Sequence, residues 1–282
     1  MTSATREVKV QPATARSPRT MSWWLLPWVT VLAAVLLAQV VTSNGLFRPD
    51  QFPTPFATFQ AFADALTTST MWSAVSATLQ TWSVGLFIAT ALALVVGALL
   101  ASNDFAFRSA SPVIEIFKAI PAIAILPLVI LVLGSTPPMK VFLVAFGVFW
   151  PLLIQVIYGM RSVDPTVLDT AKVSRVRGVR KFLVVTVPSA APYIATGLRI
   201  ASANALILAV VSELVGGAEG IGRIILQSQS AGASAYPRMY AYVLISGLLG
   251  LLLTGAFFLI EKKALHWHES QRNLALNERS SQ

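Results

Sequence analysis

The chain has 282 residues, of which 55% are hydrophobic and only 12% charged. That is about half the charged fraction of a soluble protein, so a water-soluble globular fold is excluded and an integral membrane protein is indicated. The net charge of +9 does not indicate nucleic acid, because the cations gather at the two ends and in one central loop without interleaved aromatics. With no cysteine, disulfides, thiolate metal sites and cysteine nucleophiles are ruled out. His266 and His268 stand two apart and share no helix face, so no metal or other cofactor is expected.

In chain order, residues 1–22 are rich in Thr, Ser, Pro and Arg with no apolar period, which reads as a disordered basic tail. Residues 23–41 are nearly free of charge and start with tryptophans, as a first span with an interfacial belt should; a signal peptide is the competing reading, although the run exceeds the usual h-region. Residues 42–71, with Asn44-Gly45, Pro49, Pro53 and Pro55, read as an outer loop. A second span follows over 78–101, in which Gly85 and Gly97 allow close approach of another helix. After a short inner loop over 102–112, the third span, 113–134, carries Pro121 and Pro127. These break the helical hydrogen-bond ladder and suit either a pathway-lining position or a packing kink. A tight outer turn holds Pro137-Pro138, and the fourth span, 141–157, is interrupted by Pro151.

The polar stretch 163–188 precedes a fifth span over 190–215. Gly216, Gly217, Gly220 and Gly222 then cluster in an outer loop over 216–238. No GxxxxGK[ST] occurs, so a re-entrant or tightly turned loop is expected there and not a phosphate cradle. The sixth span, 239–260, offers Gly247, Gly250 and Gly255 as a helix-contact stripe. The membrane domain thus covers 23–265, and 266–282 is a charged tail. With the N-terminus inside, fifteen Lys and Arg fall on inner segments against four outside, Arg48, Lys140, Arg223 and Arg238. The positive-inside rule therefore puts both termini and the central stretch in the cytoplasm.

Within that stretch Asp164 reads as an N-cap with Pro165 at the first helical position. The apolar Leu168, Ala171, Val176 and Val179 are interleaved with Lys172, Arg175, Arg177, Arg180 and Lys181. This is too basic for a bilayer core, and the segment should lie at the membrane surface or against a partner.

The order Asp169-Thr170-Ala171, Gly178, then Val185-Thr186-Val187-Pro188 resembles the "EAA" loop of ABC importer permeases, Glu-Ala-Ala, three residues, Gly, nine residues, Ile-x-Leu-Pro. Asp169 stands for the Glu, Thr170 for the first Ala, Arg175 for the Gly, and Val185 and Val187 for Ile and Leu. Gly197-Leu198-Arg199, Ser212-Glu213-Leu214, Glu219-Gly220-Ile221-Gly222 and Glu261-Lys262-Lys263 with Trp267 are similar to the nitrate/sulfonate/taurine branch, and the likeness covers residues 60–268.

The resemblance implies an all-α membrane protein with six transmembrane helices in the ABC importer permease fold, multi-pass in the inner (plasma) membrane. It implies as partners two copies of a cytoplasmic ATP-binding subunit, an extracytoplasmic solute-binding protein and a second permease copy, all set in membrane lipid. Asp169, Thr170, Ala171, Arg175, Gly178 and Pro188 would couple to the ATPase. Asp169 would serve as a polar or capping contact, Ala171 as a small residue for close approach, Gly178 as a turn between short helices, and Pro188 as the start of span five. The solute would be small, polar and of the nitrate, sulfonate, taurine or vitamin-precursor kind.

No catalytic constellation is present. Glu115 and Glu213 are far apart, and the histidines are confined to the tail. A secondary transporter, which needs several ionisable groups near the midplane, and a non-transporting scaffold are the alternatives. Arg199 falls near the middle of span five, where an unpaired cation costs about 3 kcal/mol or more. It reads as a cation satisfied by carbonyls or by snorkelling, or as a pathway cation for an anion. Pro121, Pro127, Arg199 and Glu213 are the pathway candidates.

Overall fold

The computed structural model describes residues 22–44 and 51–265, and every regular element among them is helical. The tails expected at 1–22 and 266–282 lie outside these residues but for Ser22. The chain forms two compact units, 1–55 and 56–282. In the first, helix α1 (Ser22–Ser43) is the apolar run expected as span one, and it carries Pro27 internally. None of its described side chains is buried.

In the second unit the stretch expected as an outer loop is largely helical. Pro55 opens α2 (Pro55–Leu66), where its missing N–H removes no internal bond. Thr68 caps α3 (Ser69–Ser102), its Oγ1 accepting from the Met71 amide at 3.4 Å, and Trp72 Nε1 donates to the Leu66 carbonyl at 3.0 Å. The second span therefore starts at Ser69 and not at Thr78. Its 34 residues make a rod of roughly 51 Å, well beyond a hydrocarbon core of about 30 Å.

The third span differs most from expectation. Asn103 caps α4 (Asp104–Ala119), accepting from the amides of Phe105 and Ala106 at 2.9 and 3.1 Å. That helix stops where Ile120 turns extended, with ψ of 117°, before Pro121. A proline has no N–H to give and forces its predecessor out of the helical region. A 3₁₀ turn (Ala122–Ile125) leads to α5 (Leu126–Leu133), whose first turn accommodates Pro127. The two halves are bent by 76°; among the described residues five helices are long and apolar enough to cross a membrane, and the bent pair makes the sixth if it counts as one span.

Next, α6 (Pro137–Arg161) takes Pro137-Pro138 into its first turn and runs through Pro151. The polar stretch forms α7 (Pro165–Val173) and α8 (Gly178–Lys181). A π-helical turn (Phe182–Thr186) leads without a break into α9 (Val187–Gly216). Then come α10 (Ile221–Ser230) and α11 (Tyr236–Ala264).

The core is α6 held between α3 and α9. A Cβ on Gly85 or Gly97 of α3 would lie 2.6 Å from Val144 Cγ1 or 2.5 Å from Val156 Cγ1 of α6. These glycines seat two spans of the same chain. Fully buried Ala89, Ala93, Ala205 and Ala209 continue the pattern against Val148, Leu152 and Val156. In lipid this packing is stabilised by close van der Waals contact and not by exclusion of water. On α11 only Gly250 meets a neighbour, Leu206, whereas Gly247 and Gly255 face open space. The expected outer loop instead contains α10, whose Ile221, Ile224 and Ile225 pack with Met71, Ala74, Tyr242 and Ile245.

Candidate functional site

The polar segment folds as its sequence directs. Asp164 Oδ1 accepts from the Thr166 amide at 2.7 Å with Pro165 beside it, the expected cap. The other end is closed by two bonds, Val176 N to Ala171 O at 2.9 Å and Arg175 N to Lys172 O at 3.0 Å. This is a Schellman stop, which needs a left-handed residue at its pivot. Arg175 fills that position with φ of +56°, the only positive φ outside glycine among the described residues. It is also the position where the motif has glycine. Gly178, with φ of +58°, makes the expected turn into α8. Pro188 sits exposed in the first turn of α9.

Asp169, Thr170, Ala171 and Arg175 thus share α7 and its stop, Gly178 follows at the next turn, and Pro188 lies apart on α9. Asp169 pairs with Lys172 at 2.8 Å, with both side chains about 70% exposed; such a surface pair contributes little. The side chain of Ala171 turns inward on α7. It is only 5% exposed, so its side chain lies against its own chain, beneath the surface that a partner could touch. The exposed apolar residues here are Val167, Val173 and Val179, of which Val173 is 85% exposed. Between α6, α7 and α9 lies a cavity of about 990 Å³, lined by Gln155, Asp164, Val185, Pro188, Tyr193 and Thr196 among others.

The four pathway candidates are scattered. Pro121 is exposed at the break and Pro127 in the first turn of α5. Arg199 is not an unpaired cation: its guanidinium lies 3.4 Å from Glu261 Oε2 on α11. The sixth span was expected to stop at 260, and α11 extends through Glu261 to Ala264.

Glu213 has no exposed surface and Lys140 only 3%. Lys140 Nζ lies 3.3 Å from Glu213 Oε1, while Oε2 accepts from Thr78 Oγ1 at 2.9 Å and from the Gly222 amide at 3.1 Å. Lys140 also donates to the Glu219 carbonyl, and the Ile221 amide donates to Thr78 Oγ1 at 3.1 Å. The carboxylate and the hydroxyl together satisfy the first amides of α10, donors that a helix start leaves unpaired. A Cβ on Gly220 would fall 2.0 Å from Glu213 Cδ, and one on Gly222 would fall 2.2 Å from the Val210 carbonyl. Gly220 and Gly222 thus pack around a carboxylate. Sequence reasoning missed Lys140, assigning it to an outer turn; the available signal was an acid in an apolar span, which requires a partner.

Residues 89–266 match the family of binding-protein-dependent transport system inner membrane components. The chain belongs to that family. The permease is 26% identical over 242 residues to the putative aliphatic sulfonates transport permease protein SsuC of Bacillus subtilis, covering 85% of this chain and 87% of that one. It is 27% identical over 179 residues to the nitrate import permease protein NrtB of Leptolyngbya laminosa (64% and 63% covered). A probable ABC transporter permease protein of Haemophilus influenzae is 31% identical over 207 residues (73% and 83%). In fold it is similar to a chain of the inward-facing MetNI methionine ABC transporter, with a TM-score of 0.60 at 20% identity over 68% of this chain and 95% of that one. The permease is therefore the multi-pass inner-membrane component of an ABC importer that works with a binding protein and an ATPase. It is not itself catalytic, and ATP hydrolysis belongs to the separate ATPase subunit.

Proposed function

We propose that this permease carries a small polar oxyanion, of the sulfonate or nitrate class, from its binding protein through a path between two permease copies, and that α7 and α8 are where the ATPase acts on it. The observation that carries the coupling assignment is the construction of that segment. A capped, basic, largely exposed helix is closed by Arg175 and Gly178 and then joined to span five by unbroken helix. The names of the sulfonate and nitrate relatives support the solute class. The open glycine positions on α11, Gly247 and Gly255, suit a second copy packed closely, and the distribution of Lys and Arg supports cytoplasmic termini. In this reading nucleotide-driven closure of two ATPase subunits moves the two loops, and the spans rock between two openings of different stability.

Because Ala171 is buried, the test uses Val173, whose exposure leaves the fold indifferent to its replacement. Val173→Asp should insert and fold as wild type yet lose co-purification of the ATPase and solute uptake. Ser102→Asp, on an exposed position outside this segment, should retain both. Recovery of ATPase with Val173→Asp at the wild-type ratio would remove α7 from the coupling role.

A further inference from the structure

The end of α6 opposite α7 holds a second cavity, of about 510 Å³, walled by α3, by the start of α6 and by the turn into α10. Its polar lining is Gln80, Thr81, Ser135, Lys140, Glu219 and Arg223. The volume lies within the roughly 300–1,000 Å³ of small-molecule sites. We infer that this cavity is a binding subsite in the permease for a small monovalent oxyanion, and that Arg223 and Lys140 are its anion-binding groups. The inference rests on the importer reading above and adds a solute site within the membrane component.

Charge and donor accounting carry it. An ammonium has three N–H donors, and Lys140 gives one to Glu213 Oε1 and one to the Glu219 carbonyl. One donor is left to the cavity that the side chain lines. The Glu213 charge is answered by Lys140, Thr78 and the Gly222 amide, so it does not oppose an anion in the cavity as a free carboxylate would. Arg223 is half-buried and makes neither an ion pair nor a side-chain hydrogen bond among the described residues. Its planar fork suits nitrate, sulfonate or carboxylate oxygens. Thr81 and Ser135 direct their hydroxyl hydrogens to the carbonyls of Ala77 and Gly216, which leaves the Gln80 amide as the neutral donor. Glu219, exposed, also lines the cavity; its carboxylate offsets part of the Arg223 charge and so disfavours a second negative charge on the ligand.

The chain has no native cysteine, so the cavity can be probed in the full-length protein. Ala77→Cys places a thiol on its wall without removing a proposed donor, in nanodiscs of neutral phosphatidylcholine. Sodium nitrate or ethanesulfonate should slow modification of that thiol by a sulfonate-bearing thiosulfonate reagent by about tenfold, the lower range of electrostatic concentration in a charged cleft. Chloride at equal ionic strength should do little. Arg223→Gln should remove the protection, and a thiol introduced at Ser174 should show none. Equal protection by chloride, or protection unchanged by Arg223→Gln, overturns the subsite. Anionic phosphatidylglycerol tests the other source of an oxyanion: if it protects by itself and added solute changes nothing, the cavity holds lipid headgroups and the inference falls. No protection by nitrate or ethanesulfonate in the chain that retains Arg223, with ATPase co-purification intact, refutes the subsite alone. Protection in a chain that never recovers an ATPase refutes the importer assignment instead.

Discussion

Lys140→Met removes one partner of a buried pair and leaves Glu213 with no exposed surface and only two neutral donors, Thr78 Oγ1 and the Gly222 amide. Breaking such a pair from one side costs about 3–5 kcal/mol. The two surviving hydrogen bonds put the expectation at the lower end, about 3 kcal/mol. Glu213→Gln leaves Lys140 with the Glu219 carbonyl alone and should cost a similar amount. The double variant Lys140→Met/Glu213→Gln has no stranded charge, and it should lie within about 1–2 kcal/mol of wild type, a coupling of about 4–5 kcal/mol. Equilibrium unfolding in mixed micelles, followed by circular dichroism on all four proteins, measures the cycle. If the two single effects add to the double within about 0.5 kcal/mol, the margin for independent sites, the pair does not hold α10 in place and the reasoning is refuted.

Arg175→Gly should stabilise the end of α7 by about 0.5–1 kcal/mol, because the left-handed penalty of an ordinary residue outweighs glycine's entropy cost; slower hydrogen exchange at the Val176 amide would show it. Gly97→Ala should destabilise by about 1–3 kcal/mol through the contact with Val156 Cγ1. Adding Val156→Ala should recover most of that loss in the same unfolding assay, and failure to recover would mean that α3 and α6 are not in direct register there. For orientation, Ser43→Cys should react with an impermeant maleimide on intact cells and Ser174→Cys only after permeabilisation. Labelling of Ser174→Cys in sealed cells would reverse the topology.

Local signals carried the sequence reading a long way. Apolar runs located the spans, Asp164-Pro165 located the start of α7, and Gly178 and Pro188 marked the next turn and the start of α9. Each depends on residues within one or two helical turns. The break at Ile120 was half legible: two prolines in one span announced an interruption, but nothing local gave its 76° angle. What was illegible is long-range. Lys140 and Glu213 are 73 positions apart, and an apolar helix facing lipid has the same hydropathy as one facing α6. The sequence of α2 and α10 reads as loop because prolines and glycines commonly end helices, whereas here Pro55 opens α2 and Gly220 and Gly222 lie against a buried carboxylate. Ala171 shows the limit of a motif, which singles out a residue without saying which way its side chain points.

The π-helical turn determines how the polar segment is tied to the membrane. From Gly178 to Gly216 the backbone is helical for 39 residues, a rod of about 58 Å against a hydrocarbon core of about 30 Å. One end of it must stand clear of the lipid, and α8, with Arg180 and Lys181, is the charged end suited to do so. Span five therefore carries its own handle. Whatever displaces α7, which packs on the π-helical turn, moves a stiff lever with no slack to absorb the stroke. The wide turn, with bonds reaching one residue further than in an α-helix, sets the register between handle and shaft: removing a single residue from Phe182–Thr186 would turn the handle by about 100° relative to the shaft and present α7 on the wrong side.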